Sequence, residues 1–199
     1  MAVNISIWAS GNGTNAENII LKFKNHPFIK IKMIVTNNHS AGVIQRSEKL
    51  KKTVHIIPKS VLYEKVHRVI ELLKEEEIDL IVLAGFLLKV PKEIIQKYPQ
   101  RIINIHPALL PKYGGKGFYG NYVHAAVLQN KEKETGITIH YVNEEYDEGQ
   151  IIQQVQCPVL ETDTIETLAQ RVHQLEYEYY PKVIEQIAEK IHHEKTKVK

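Results

Sequence analysis

Two side chains suited to oxyanion and proton chemistry, Asn104 and His106, stand two residues apart in the run Asn104-Ile105-His106-Pro107-Ala108-Leu109-Leu110-Pro111. Residues 101–105 (Arg-Ile-Ile-Asn-Ile) read as a short buried strand, apolar and β-branched. Side chains alternate faces along a strand, so Asn104 and His106 point the same way, about 6–7 Å apart. Pro107 cannot donate to a sheet ladder, which ends the strand with His106 at its tip. An amide can donate to a developing oxyanion there, and an imidazole can move a proton. The competing reading of the pair alone is a capped strand end with a structural histidine.

Other segments supply what such a pair would need. Ser10-Gly11-Asn12-Gly13-Thr14-Asn15 lies between a strand and a helix. Its glycines allow close backbone approach, and the helix adds its positive end, so the loop suits a phosphate. The third glycine of a dinucleotide fingerprint and the Lys-Ser/Thr of a Walker A loop are missing. Ala84-Gly85-Phe86-Leu87-Leu88-Lys89-Val90 follows an apolar strand and offers a glycine beside apolar residues, where a flat heteroaromatic ring can lie. Residues 112–120 (Lys-Tyr-Gly-Gly-Lys-Gly-Phe-Tyr-Gly) carry four glycines and suit a mobile lid. Asn143-Glu144-Glu145-Tyr146-Asp147-Glu148-Gly149 is rich in carboxylates. Such a run is ordinarily a solvated turn, but one carboxylate folded over the site would pair with His106, raise its pKa and orient it. No Cys/His cluster has metal-ligand spacing, so no metal is expected.

These segments need a scaffold, and the chain provides a strand–helix alternation. Strands are expected at 5–9, 29–36, 54–57, 80–84 and 102–105, with helices at 15–25, 41–52, 60–77 and 91–98. Fully apolar strands in that alternation predict an α/β, Rossmann-like three-layer fold with a mostly parallel sheet and helices on both faces. Residues 80–84 (Leu-Ile-Val-Leu-Ala) read as a central strand. Residues 137–142 and 151–155 read as a late antiparallel pair at one side. A final helix is expected over 164–190, kinked or broken at Pro181. Ligands of open α/β sheets bind beyond the carboxyl ends of strands, which would gather the loops after strands on one rim.

The 199 residues are 43% hydrophobic and 25% charged, ordinary for a single soluble domain spanning 1–199. No apolar run reaches membrane-spanning length and no leader is evident, so neither a membrane nor secretion is expected. The single Cys157 fits a reducing cytoplasm. The net charge of +3 is misleading about nucleic acid: residues 190–199 hold four lysines and one glutamate, and the remainder is neutral. That segment reads as a basic, partly disordered tail, and no nucleic-acid partner is expected.

Taken together, Asn104–Pro111, the Asp147-Glu148-Gly149 pattern, the Ser10–Asn15 loop, Leu83–Phe86 and the Arg171–Glu176 segment ending in Tyr180-Pro181 resemble the folate-dependent formyltransferases. The likeness covers nearly the whole chain and is strongest to the branch acting on glycinamide ribonucleotide. It implies formyl transfer from 10-formyltetrahydrofolate, as cosubstrate, to the amine of that nucleotide, in purine biosynthesis. Asn104, His106 and Asp147 become the catalytic residues, with His106 protonated and held by Asp147. Gly11, Asn12, Gly13, Thr14 and Asn15 become the phosphate loop, and Glu176 a contact to the ribose. Phe86, Leu87, Leu88, Lys89, Val90, Asn104 and residues 143–147 (Asn143, Glu144, Glu145, Tyr146 and Asp147) become the folate site. The loop at 113–122 is longer and richer in glycine than is common, and Ala108 replaces the commoner serine. A deformylase, which uses water as acceptor, a methionyl-tRNA formyltransferase and a non-catalytic nucleotide-binding chain are the rival readings. Monomer and homodimer both remain open.

Overall fold

A computed structural model describes residues 1–197, in two compact units: Met1–Ile103 with the chain from Ile184 on, and Asn104–Val183. The first holds β1 (Val3–Trp8), α1 (Thr14–Lys22), β2 (Ile29–Thr36), α2 (Gly42–Lys49), β3 (Thr53–Ile56), α3 (Lys59–Glu64), α4 (Val66–Glu75), β4 (Leu80–Leu83), α5 (Lys92–Lys97) and the opening of β5 (Ile102–His106). The second holds the end of β5, α6 (Asn121–Gln129), β6 (Glu134–Tyr141), β7 (Ile151–Pro158) and the start of α7 (Ile165–Lys197).

The strands form a mixed seven-stranded sheet ordered β3-β2-β1-β4-β5-β6-β7. β1 pairs in parallel with β2 and β4, and β2 with β3. Every residue of β1 and β4 is buried, as expected of parallel strands covered on both faces. The one hydroxyl inside β1 is satisfied locally: Trp8 Nε1 donates to Ser6 Oγ at 2.9 Å. Helix α1 buries Ala16, Ile19 and Ile20, and α4 buries Val69 and Leu73, the three- and four-residue spacing of one helical stripe.

β6 and β7 pair antiparallel, and their register shifts between Ile139 and His140. Such irregularities re-aim the next side chain, here a buried histidine. Cys157 on β7 is free and buried, and burial raises its thiol pKa. Among the described residues, no helix is long and apolar enough to cross a membrane.

Three sequence expectations need correction. The 60–77 helix is two helices, parted at Lys65 (φ −127°), with neither proline nor glycine to signal it. α7 runs unbroken through Pro181. Tyr180, Val183, Ile184, Ile187, Ala188 and Ile191 form a buried stripe on both sides of the proline. At ~1.5–3 kcal/mol for each large buried side chain, that stripe outweighs a helix-interior proline penalty of ~3 kcal/mol. The expected tail at 190–199 is helical as far as Lys197, and Val198 and Lys199 lie outside the described residues. Lys195 Nζ donates to both Asp79 oxygens (2.8 and 2.9 Å) and to the Ala2 carbonyl (3.0 Å), while the His192 ring stacks on Phe28 at 4.3 Å.

Candidate active site

In the second unit, β5 brings Asn104 and His106 to its end, and the turn between β6 and β7 returns Asp147 to meet them. Asn104 Nδ2 lies 3.4 Å from Asp147 Oδ1, and His106 Nδ1 lies 3.5 Å from Asp147 Oδ2. Asp147 adopts a left-handed backbone (φ +57°), an unusual conformation for which Asp and Asn are the better-tolerated non-glycine residues. The turn closes tightly: a Cβ on Gly149 would stand 1.7 Å from the Tyr141 carbonyl oxygen. The segment after His106 is tied to the sheet by Thr138, whose hydroxyl donates to the Ala108 carbonyl (2.6 Å) and accepts from Leu110 N–H (3.0 Å). Gln154 braces the same group from β7, donating to the Leu110 carbonyl and to Thr138 Oγ1, both at 2.9 Å.

A second histidine, not singled out in the sequence, completes the cluster. His140 Nε2 is 3.2 Å from Asn104 Nδ2 and 3.6 Å from Asp147 Oδ1. Its Nδ1 lies 2.8 Å from the Tyr141 carbonyl, which can only accept, so Nδ1 is the donor and Nε2 is left to accept from Asn104. The signal available was a lone imidazole in the Ile-Thr-Ile-His-Tyr strand segment next to the Asn104 strand.

The glycine-rich loop lies over this group. The Tyr113 carbonyl sits 2.7 Å from His106 Nε2, and Gly115 N–H donates to Asp147 Oδ2 at 2.9 Å. Gly114 passes so close that a Cβ there would approach Leu110 Cδ2 to 2.5 Å.

Electrostatics correct one expectation. Burial lowers the His106 pKa, and the Asp147 charge and the Tyr113 contact, which pull upward, do not offset it. The balance favours the neutral imidazole over the expected imidazolium. Burial pushes Asp147 the other way, but the facing His140 and His106 rings and the Gly115 N–H outweigh it and leave its pKa lowered.

His124, on α6, is more strongly affected: burial, then the charges of His173 and His106, push its pKa down to about 4. Its Nδ1 has no hydrogen-bond partner. A histidine buried neutral leaves the unfolded chain binding the extra proton, so stability is full above pH ~6.5 and declines as pH falls toward 4. Over about 2.5 pH units the loss approaches ~3 kcal/mol. Thermal melts from pH 7 to 4 should show a smaller loss for His124→Gln than for wild type; equal losses would remove His124 as the cause.

In the first unit, Gly13 takes φ +78° as the N-cap of α1 and makes no side-chain cap hydrogen bond. Glycine has no side chain with which to cap the first turn, which leaves that role open to an anion. Val43 N–H donates to the Gly11 carbonyl (3.1 Å), and Arg46 Nε donates to the Asn12 carbonyl (2.9 Å). Arg46 also pairs with Glu17. Thr14 and Asn15 open the helix. The same loop meets the 84–90 segment, since Ser10 N–H donates to the Gly85 carbonyl and Leu87 N–H to Ser10 Oγ, both at 2.9 Å. Within that segment Phe86 and Val90 are buried, Phe86 packing edge-on to Trp8 at 5.1 Å, so their side chains serve the core. Leu87 is exposed, Leu88 and Lys89 are half-buried, and the Lys89 carbonyl accepts from Tyr63 Oη at 2.9 Å.

Asn143, Glu144 and Glu145 lie beside Asp147 in the same turn, all three exposed and Tyr146 half-buried; Asn143 Oδ1 accepts from Glu145 N–H at 3.0 Å. Glu176 is buried, its Oε2 4.0 Å from His173 Nε2. Among the described residues, no group of three or more His, Cys, Asp or Glu side chains is placed to hold a metal ion.

Comparison with known proteins bears on this arrangement. Residues 3–184 match the family model described as formyl transferase. The chain is 38% identical over 188 residues to the phosphoribosylglycinamide formyltransferase of Bacillus subtilis, covering 92% of this chain and 93% of that protein. It is 36% identical over 190 residues to the chloroplastic phosphoribosylglycinamide formyltransferase of Arabidopsis thaliana, covering 93% of this chain but 65% of the longer plant protein. Among solved structures, the phosphoribosylglycinamide formyltransferase of Coxiella burnetii superposes with a TM-score of 0.84 at 35% identity, over 94% of this chain and 88% of that one.

Proposed function

The chain belongs to the formyl transferase family, among its phosphoribosylglycinamide formyltransferases, and on that premise we propose that it transfers a formyl group from 10-formyltetrahydrofolate to the amine of glycinamide ribonucleotide. The products are formylglycinamide ribonucleotide and tetrahydrofolate, in de novo purine synthesis. One observation carries the reading above the others: a single carboxylate, Asp147, faces the titrating nitrogen of His106 on one oxygen and the amide of Asn104 on the other.

The folate supplies a formyl group on N10. His106, neutral at Nδ1, takes the proton that the nucleotide amine loses as its nitrogen bonds to the formyl carbon. Asn104 donates to the oxygen that receives the carbonyl π electrons. Its longer contact, to Asp147, is the one that oxygen replaces, while His140 keeps the amide oriented. Asp147 stabilises the imidazolium that His106 has become. His106 then returns the proton to N10 as the carbon–N10 bond breaks and the carbonyl re-forms. Each proton has a protein acceptor and donor, so the reading includes no metal.

Gly11, Asn12, Gly13, Thr14 and Asn15 are assigned to the nucleotide phosphate and Glu176 to its ribose. Phe86, Leu87, Leu88, Lys89 and Val90, with residues 143–147, are assigned to the folate. Exposed Leu87 beside Gly85, where a Cβ would meet nothing within 4 Å, is the apolar, open backbone that a flat ring needs. A monomer or homodimer acting in the cytoplasm belongs to the same reading.

The test is tetrahydrofolate formation from 10-formyltetrahydrofolate, followed by absorbance with and without glycinamide ribonucleotide. Turnover only with the nucleotide supports the transferase; turnover without it makes water the acceptor; none in either condition leaves a binding protein. The phosphate assignment has its own test in Gly13→Val. The new Cβ would meet Val43 Cβ at 2.5 Å and its Cα at 2.6 Å, on a backbone with φ +78°. Loss of the charge-assisted N–H contacts should raise the nucleotide KM on the order of tenfold or more, with a much smaller change for folate. Equal changes for both ligands would count against the assignment.

A further inference from the structure

The contact between Tyr113 and His106 decides which nitrogen of the histidine works, and the loop is not left to hold it unaided. A carbonyl oxygen can only accept, so at 2.7 Å His106 Nε2 must carry its proton. Nδ1, facing Asp147, is then the nitrogen that gains and loses one. Tyr113 has φ +56°, a left-handed backbone that costs a non-glycine residue energy unless its surroundings hold it.

The surroundings do hold it. The Tyr113 ring packs against the buried cluster of Ala108, Val123, Val127 and Leu168, and its hydroxyl donates to Glu132 Oε1 at 2.9 Å. Glu132 stands in the turn after α6 and receives Lys112 Nζ as well, at 3.0 and 3.3 Å. It thus grips two consecutive side chains at the root of the glycine-rich loop, just before the backbone reaches Gly114 and Gly115.

We propose that Glu132 is a positioning residue: by holding the Tyr113 hydroxyl it keeps the Tyr113 carbonyl on His106 Nε2 and fixes the imidazole as its Nε2–H tautomer, with Nδ1 turned to Asp147. The consequence for turnover rests on the formyl-transfer reading above, whereas the tautomer itself does not. Without the tether, the carbonyl leaves the ring and His106 samples the Nδ1–H tautomer, in which the proton acceptor points away from Asp147.

The experiment is ring-nitrogen NMR of the full-length 15N-histidine-labelled protein at a pH where His106 is neutral, with steady-state kinetics on the same samples. Glu132→Ala and Tyr113→Phe should each shift the His106 tautomer ratio on the order of fivefold toward Nδ1–H, the scale of one lost hydrogen bond. Each should lower kcat by a similar factor with little change in either KM. Glu132→Gln keeps an acceptor for the hydroxyl and should restore the wild-type ratio, and Lys112→Ala, which removes only the ion pair, should leave it unmoved. An unchanged tautomer in folded Glu132→Ala and Tyr113→Phe overturns the proposal, as does a shifted tautomer with unaltered kcat. If the wild-type chain does not formylate glycinamide ribonucleotide, the functional reading fails, and the ring spectra still decide the tether.

Discussion

Replacement of His106 by alanine is expected to lower kcat for formyl transfer by ~10²–10⁴-fold, the usual contribution of a positioned acid–base group, with KM for both substrates little changed. The imidazole is the one group in the cluster that can both take and return a proton near neutral pH. Asp147, its pKa lowered, is already ionised, and Asn104 does not titrate. His140 does not substitute, because its free nitrogen accepts from the Asn104 amide. The variant also leaves the Tyr113 carbonyl without its donor, so circular dichroism and thermal melting must accompany the kinetics. Activity close to wild type in a folded His106→Ala protein would remove His106 from the proton path and return the Asn104–His106 pair to a structural role.

In wild type the acid limb of the kcat/KM profile should lie below pH ~6.5, since burial depresses the His106 pKa and the neutral form is the working base. That direction was hidden in the sequence. A carboxylate beside a histidine suggests a raised pKa, and Asp147 does pull that way. The opposing effect is desolvation, which depends on how completely the neighbouring chain covers the ring, and no local run of residues encodes that.

What could be read was whatever depends on residue type at fixed spacing. Leu80–Leu83 is apolar on both faces and is buried on both, and the late strands pair antiparallel as their separation by a polar turn suggested. Asn104, His106 and Asp147 converge because a strand end and a tight turn leave few alternatives. Three things escaped. Helix α6 begins directly after Gly120 and was hidden by the glycine-rich run before it. His140 lay in a strand whose register slips just before it, so alternation alone could not aim it. The contacts of Tyr113 and Gly115 are made by backbone atoms, to which side-chain patterns are blind.

Asp147→Asn should be nearly as damaging as loss of the histidine, with kcat falling ~10²–10³-fold, although the substitution preserves shape. Asp147 accepts from Gly115 N–H on Oδ2 and from Asn104 Nδ2 on Oδ1, with His106 and His140 facing the same two oxygens. An asparagine offers one acceptor and one donor. If its oxygen keeps Gly115, its NH₂ faces the Asn104 NH₂ and competes for His140 Nε2, so the amide meant for the oxyanion loses its orientation. Losing the charge removes the attraction that favours the imidazolium, which lowers the His106 pKa further. The acid limb of the kcat/KM profile should therefore move to lower pH while the plateau drops. Stability has a different signature. A carboxylate whose folded pKa is depressed stabilises the fold above its unfolded pKa of ~3.9 and loses that contribution as pH falls through the folded value. Wild type and Asp147→Asn should thus differ most in melting temperature at neutral pH and converge in acid. An acid limb that stays put or rises, in a protein that melts as expected, would mean that Asp147 acts on the substrate directly and not through His106.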